Sequence, residues 1–164
     1  MRTHDARIAV AAAYRDLGRM GLIVGSSGNV SVRTRKGMAI TPSGGDRDGA
    51  EAGDIVPMAL DGAVSGNGTP SSEWSMHAAI YKMKADAACI VHAHADACTA
   101  LACLNEPLPG FHYMVVRFGG NDVPVAPYVT FGTQALADSA AGALTSRTAC
   151  LLANHGMILH ARNV

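Results

Sequence analysis

The stretch TACLLANHGMILHAR, Thr148 to Arg162, decides the fold. Its first apolar run, Ala149 to Leu152, has the length of a strand. Asn154-His155-Gly156 is turn chemistry, and a second apolar run follows to Ala161. Two short strands joined by a tight turn make an antiparallel hairpin, so the sheet cannot be built from parallel crossover units alone. Working back from this hairpin, TQALADSAAGALTSR (133–147) has helical spacing, and NDVPVAPYVTFGT (121–133) is an extended segment punctuated by Pro and Gly. Residues 96–104 read as a helix, ACIVHAHA (88–95) as an apolar strand, and 72–84 as a helix beginning at Ser71 or Ser72. DIVPMALDGAVSGNGTPSS (54–72) reads as two strands joined through Asp61-Gly62, then a loop. GMAITPSGG and GLIVGSSGNVSVRT each hold one strand, and residues 4–21 form a helix ended by Gly21. No repeat or low-complexity tract interrupts this order. Helices alternate with strands while several strand connections are hairpins. The expected fold is α/β, a three-layer α/β/α arrangement around a central mixed, mostly antiparallel sheet.

The chain has 164 residues, 49% hydrophobic and 16% charged, with a formal net charge of zero. That fits one domain, 1–164, with a sizeable core. The charge balance offers no electrostatic footprint for nucleic acid or a membrane surface. No apolar run approaches the roughly 20 residues of a membrane helix. The N-terminal MRTHDARIAVAAAYRDLGRMG spaces its apolar residues with charges, unlike a signal peptide. Cys89, Cys98, Cys103 and Cys150 form no CxxC pair and read as buried, reduced thiols of a cytoplasmic protein. The chain stops at Val164 just as a strand should end, and a layered sheet needs helical cover, so a C-terminal helical part is expected beyond it.

His92 and His94 stand two apart, on one face of a strand. Such a pair is read equally as two hydrogen-bonded histidines or as two ligands of one divalent metal. His155, at the turn of the hairpin, completes a three-histidine set of the kind found in open catalytic zinc sites. His77 lies four residues after Glu73 and could hydrogen-bond to it. Three loops, GSSGN (25–29), TPSGG (41–45) and PSS (70–72), offer hydroxyls and free backbone N–H groups; the third opens a helix, where an anion is favoured. Each alone is more often an ordinary turn. Glu73 is open to two readings: a carboxylate placed for the helix dipole, or a general acid/base beside the metal.

Taken together, GLIVGSSGNVSVR, ITPSG, PSSEW, HAHA, HYMV, GGNDVPVAPYVTFGT and NHG resemble the class II aldolase/adducin family over nearly the whole chain. The resemblance implies a metal-dependent aldehyde-lyase. It would cleave a ketose 1-phosphate, such as L-fuculose 1-phosphate, into dihydroxyacetone phosphate and an aldehyde through a metal-stabilised enediolate. It implies one Zn2+ per subunit on His92, His94 and His155, a place Mn2+ or Co2+ can also take. It implies Glu73 as acid/base and a phosphate held by Ser26, Ser27, Gly28, Asn29, Ser43, Gly44, Ser71 and Ser72. Tyr113 would donate a proton in a neighbouring subunit's site, within a homotetramer whose active sites lie at subunit interfaces. The sugar phosphate would be the partner, with no nucleic acid and no membrane. Members extend past NHG with a helix and a tail bearing another tyrosine, absent from this sequence. Related activities stay open: a ribulose-5-phosphate 4-epimerase, which carries Asp where Glu73 stands, a decarboxylase or dehydratase of phosphorylated sugars or sugar acids, or a non-catalytic adducin-like interaction domain.

Overall fold

A computed structural model describes all residues, Met1–Val164. The elements in chain order are α1 (Thr3–Arg19), β1 (Asn29–Thr34), β2 (Gly37–Ile40), β3 (Val56–Met58), α2 (Trp74–Met83), β4 (Cys89–Ala93), α3 (Asp96–Leu104), β5 (Leu108–Pro109), a 3-10 helix (Tyr113–Phe118), β6 (Asp122–Val123), β7 (Val125–Ala126), α4 (Gln134–Ala143), β8 (Ala149–Leu152) and β9 (Gly156–Ala161). Seven strands form one sheet in the order β3-β2-β1-β4-β9-β8-β7, and β5 pairs with β6 apart from it. Every neighbouring pair in the large sheet is antiparallel except β7 with β8. The expected mixed, mostly antiparallel sheet is the one observed.

Two helices lie on each face. Ala6, Val10, Ala11 and Tyr14 recur at helical spacing along α1 and pack on Val30, Val32 and Ala39. On the same face, Ala102 of α3 packs on Ala149 and Leu151. On the other face, Met76 and Ile80 of α2 and Leu136 and Ala140 of α4 close over Ile90, Cys150 and Ile158. Removing these apolar side chains from water on both faces drives the layering.

Three local readings are corrected. The helix expected from Ser71 or Ser72 begins at Trp74, with Glu73 as its N-cap residue. The Ser71 N–H donates to Thr41 O across an extended pairing, and a turn closes from Ser71 O to the Trp74 N–H before the helix winds. In the 54–72 segment only β3 is a full strand. The return makes one bridge, Met58 to Val64, because Gly66-Asn67-Gly68 leads the chain away after Ser65. Among the cysteines, all free thiols, Cys89 and Cys150 are buried, but Cys98 is half-buried and Cys103 is exposed on the outer side of α3.

Candidate active site

His92 lies within β4, His94 one residue past its end, and His155 in the β8–β9 turn. Antiparallel pairing of β4 with β9 sets Ala93 opposite Met157, so the turn arrives beside the histidine pair. The three rings form a triangle with centroids 4.8, 4.8 and 5.0 Å apart. Gly156 permits this approach: a Cβ there would lie 2.6 Å from Ala93 O and 3.0 Å from His94 Cδ2.

The chemistry of the donor set follows from the hydrogen bonds. His92 Nδ1–H donates to Met157 O at 2.8 Å, which leaves the His92 Nε2 lone pair facing inward. His94 Nε2 is 2.9 Å from it. Burial, with the neighbouring rings, pushes the His94 imidazole down to about 4 and the His155 imidazole below its usual value, so both are neutral near pH 7. Glu73 adds a carboxylate, Oε2 3.2 Å from His92 Nε2 and Oε1 3.5 Å from His155 Nε2. Burial works to raise the Glu73 pKa, but its neighbours His92, His155 and Asn29 outweigh it and hold it at about 2. Glu73 Oε1 is buried without a hydrogen-bond partner. The ligand atoms of the three histidines lie within 4.8 Å of one another, with the Glu73 carboxylate against two of the rings; lone pairs and a carboxylate so close repel one another unless a cation sits among them, so these residues fit a divalent metal.

Beside this centre lies a cavity of about 250 Å³. Its lining includes all eight residues read as phosphate-binding, Ser26, Ser27, Gly28, Asn29, Ser43, Gly44, Ser71 and Ser72, together with Glu73, His94 and His155. No lysine or arginine lines it, so an anion there would be met by hydroxyls, backbone N–H groups and the metal centre. The hydroxyls are not all free. Ser27 Oγ holds its own turn through Val24 O and N, and Ser71 Oγ accepts from the Glu73 N–H. Ser26, Ser43 and Ser72 keep theirs open. Gly28 lets the first loop lie against β4, since a Cβ there would fall 2.4 Å from Ile23 Cγ2 and 3.0 Å from His92 O.

Two features, at Asn29 and His77, differ from the sequence reading. Asn29 lines the cavity, but its side chain is turned inward, donating to Glu73 Oε2 at 3.0 Å and accepting from His77 Nε2 at 2.5 Å. His77 does not hydrogen-bond to Glu73. Its other nitrogen meets Ser31 Oγ at 2.7 Å. Tyr113 is 77% exposed on the 3-10 helix and does not line this chain's own cavity. Sequence reasoning also passed over Phe131, the one hydrophobic residue at the cavity wall. Its only signal was an aromatic before Gly132 in a Pro- and Gly-punctuated loop.

Residues 8–164 match the family described as Class II Aldolase and Adducin N-terminal domain. The chain is 45% identical over 152 residues to a 5-methylthioribulose-1-phosphate/5-deoxyribulose-1-phosphate aldolase of Rhodospirillum rubrum, covering 93% of this chain and 69% of that one. It is 46% identical over 143 residues to an L-fuculose phosphate aldolase of Escherichia coli O6:H1, covering 87% and 66%. It thus spans about two thirds of the length of these relatives. A solved L-fuculose 1-phosphate aldolase superposes with a TM-score of 0.92 at 45% identity, over 98% of this chain and 76% of that one. This fold around a three-histidine centre is that of the class II aldolases, which are lyases. The chain belongs to the class II aldolase and adducin family, among its aldolases.

Proposed function

We propose that this protein is a zinc-dependent aldolase that splits a ketose 1-phosphate into dihydroxyacetone phosphate and an aldehyde, and joins them in reverse. One observation carries the reading: in a group of three converging imidazoles, His94 and His155 line, with the Glu73 carboxylate, a cavity that also presents hydroxyls and amides. A divalent metal on His92, His94 and His155 would supply Lewis-acid polarisation of the oxygens of the three-carbon half. Ser26, Ser43 and Ser72, with the N–H groups of the loops around Gly28 and Gly44, would hold the phosphate and so fix the reacting carbon. In the joining direction, Glu73, ionised and 9% exposed at its side chain, takes the C3 proton of dihydroxyacetone phosphate. The electron pair left at C3 forms the C3–C4 bond to the aldehyde carbon, and the aldehyde oxygen gains a proton. Cleavage runs the same transfers backwards. Tyr113, too exposed to serve its own cavity, is assigned the proton to the aldehyde oxygen in a neighbouring subunit. Phe111, Tyr113, Val116, Tyr128 and Phe131 leave large apolar area uncovered, in keeping with a homotetramer. No helix is long and apolar enough to cross a membrane, and the cysteines are all unpaired, in keeping with a cytoplasmic site of action.

The test is a coupled assay on purified, metal-analysed protein. L-fuculose 1-phosphate and 5-methylthioribulose 1-phosphate are supplied and dihydroxyacetone phosphate is followed, with and without EDTA. EDTA-sensitive release from either is expected. Metal-replete protein that releases none from these or other ketose 1-phosphates would overturn the reading.

A further inference from the structure

A row of largely buried polar residues runs from Glu73 away from the cavity, and beyond Glu73 it has no part in the reaction as proposed. Asn29, Ser31 and Arg33 alternate along β1 and so share the face turned to α2. On α2 and its cap, Glu73, His77 and Tyr81 recur every four residues. Two strand residues advance about 6.7 Å and four helical residues about 6.0 Å, so the two rows stay in step. The rungs form one chain of hydrogen bonds. Asn29 Nδ2 lies 3.0 Å from Glu73 Oε2, His77 Nε2 2.5 Å from Asn29 Oδ1, and Ser31 Oγ 2.7 Å from His77 Nδ1. The Tyr81 hydroxyl is 3.0 Å from both Ser31 Oγ and Ser31 O.

The chain has one sense. An ionised Glu73 oxygen only accepts, so Asn29 turns its amide N–H toward it and its carbonyl toward His77. That carbonyl also only accepts, so His77 carries its proton on Nε2. His77 is wholly buried, and burial pushes its ring down to about 3, so it has one proton to place. Nδ1 then accepts from Ser31 Oγ–H, and the Tyr81 hydroxyl donates to Ser31 O. With His77 absent, nothing would stop the Asn29 amide from turning its oxygen on the carboxylate.

We infer that His77 is a positioning residue: through Asn29 it ties down Glu73 Oε2 and so leaves Oε1, the oxygen without a partner, as the one that exchanges the substrate proton. The inference rests on Glu73 being the acid/base of the proposed aldolase. His77→Leu in the metal-loaded enzyme is expected to lower kcat by about 10- to 100-fold, with KM and bound metal unchanged. His77→Gln, which restores a donor toward Asn29, is expected to recover most of the loss. Nitrogen-15 NMR of histidine-labelled wild-type enzyme is expected to show His77 protonated on Nε2, a readout independent of turnover and of whether a variant folds. A His77 proton on Nδ1, a wild-type kcat in His77→Leu, equal losses in both variants, or metal lost in step with kcat would each overturn the inference. Wild-type protein inactive on every ketose 1-phosphate would overturn the proposed function instead, leaving the tautomer measurement to decide the placement of Asn29.

Discussion

Glu73 is the residue on which the proposed chemistry turns. One oxygen accepts from Asn29 and the other faces the histidines with no hydrogen-bond donor. Replacing the carboxylate by an amide keeps the shape and removes the base. Glu73→Gln is expected to retain bound metal on the three histidines and to lose at least about 100-fold in kcat. Metal analysis beside initial rates checks this, and loss of the metal would make Glu73 chiefly a ligand. His92 has a different task. Its Nδ1–H is held by Met157 O, so its Nε2 cannot turn away. His92→Ala is expected to abolish stoichiometric zinc binding, and a full complement of zinc in that variant would sink the three-histidine centre.

At the scale of elements, the site depends on how closely β9 meets β4 and how firmly α2 is held. Gly156→Ala would press a methyl into Ala93 O and the His94 ring. The expected outcome is weaker metal retention with the fold preserved, read by metal content after dialysis and by circular dichroism. Arg33 grips the far end of α2. Its guanidinium donates to Tyr81 O, Lys84 O and Ala87 O at 2.6, 2.7 and 2.7 Å and lies 4.5 Å from the centre of the Tyr81 ring. Arg33→Ala strips three carbonyls of their donor and should cost about 2–3 kcal/mol of stability, measured by urea denaturation.

For the whole molecule, the buried histidines predict a pH dependence. In the unfolded chain a histidine takes a proton below about pH 6.5, whereas folded His94 waits until about 4 and folded His77 until about 3. Between those values the unfolded state binds more protons than the native state. Stability is therefore full above about pH 6.5 and falls as the pH is lowered through this window. His77 alone contributes a slope of about 1.4 kcal/mol per pH unit. Denaturation of EDTA-treated protein across the window checks the sign, and the slope should flatten in His77→Gln. A stability that does not change between about pH 6.5 and about 4 would contradict the buried, neutral state of these rings.

By itself, the sequence determined the alternation of helices and strands, the hairpin at Asn154–Gly156 and the three histidines, because local periodicity, turn residues and ligand spacing are short-range signals. It also placed the serine and glycine loops that now line one cavity. It misplaced the start of α2, since the extended pairing that delays the helix joins Ser71 to Thr41, far apart in the chain. The polar alternation of NVSVRT would ordinarily mark a face open to water. Only the tertiary structure turned that face onto α2, where Asn29 and Ser31 are buried and bonded to Glu73, His77 and Tyr81. Strand period and helix period are each legible locally. Which strand face meets which helix face is settled by packing the whole sheet between its two helical layers, and that decides what surrounds the Glu73 carboxylate.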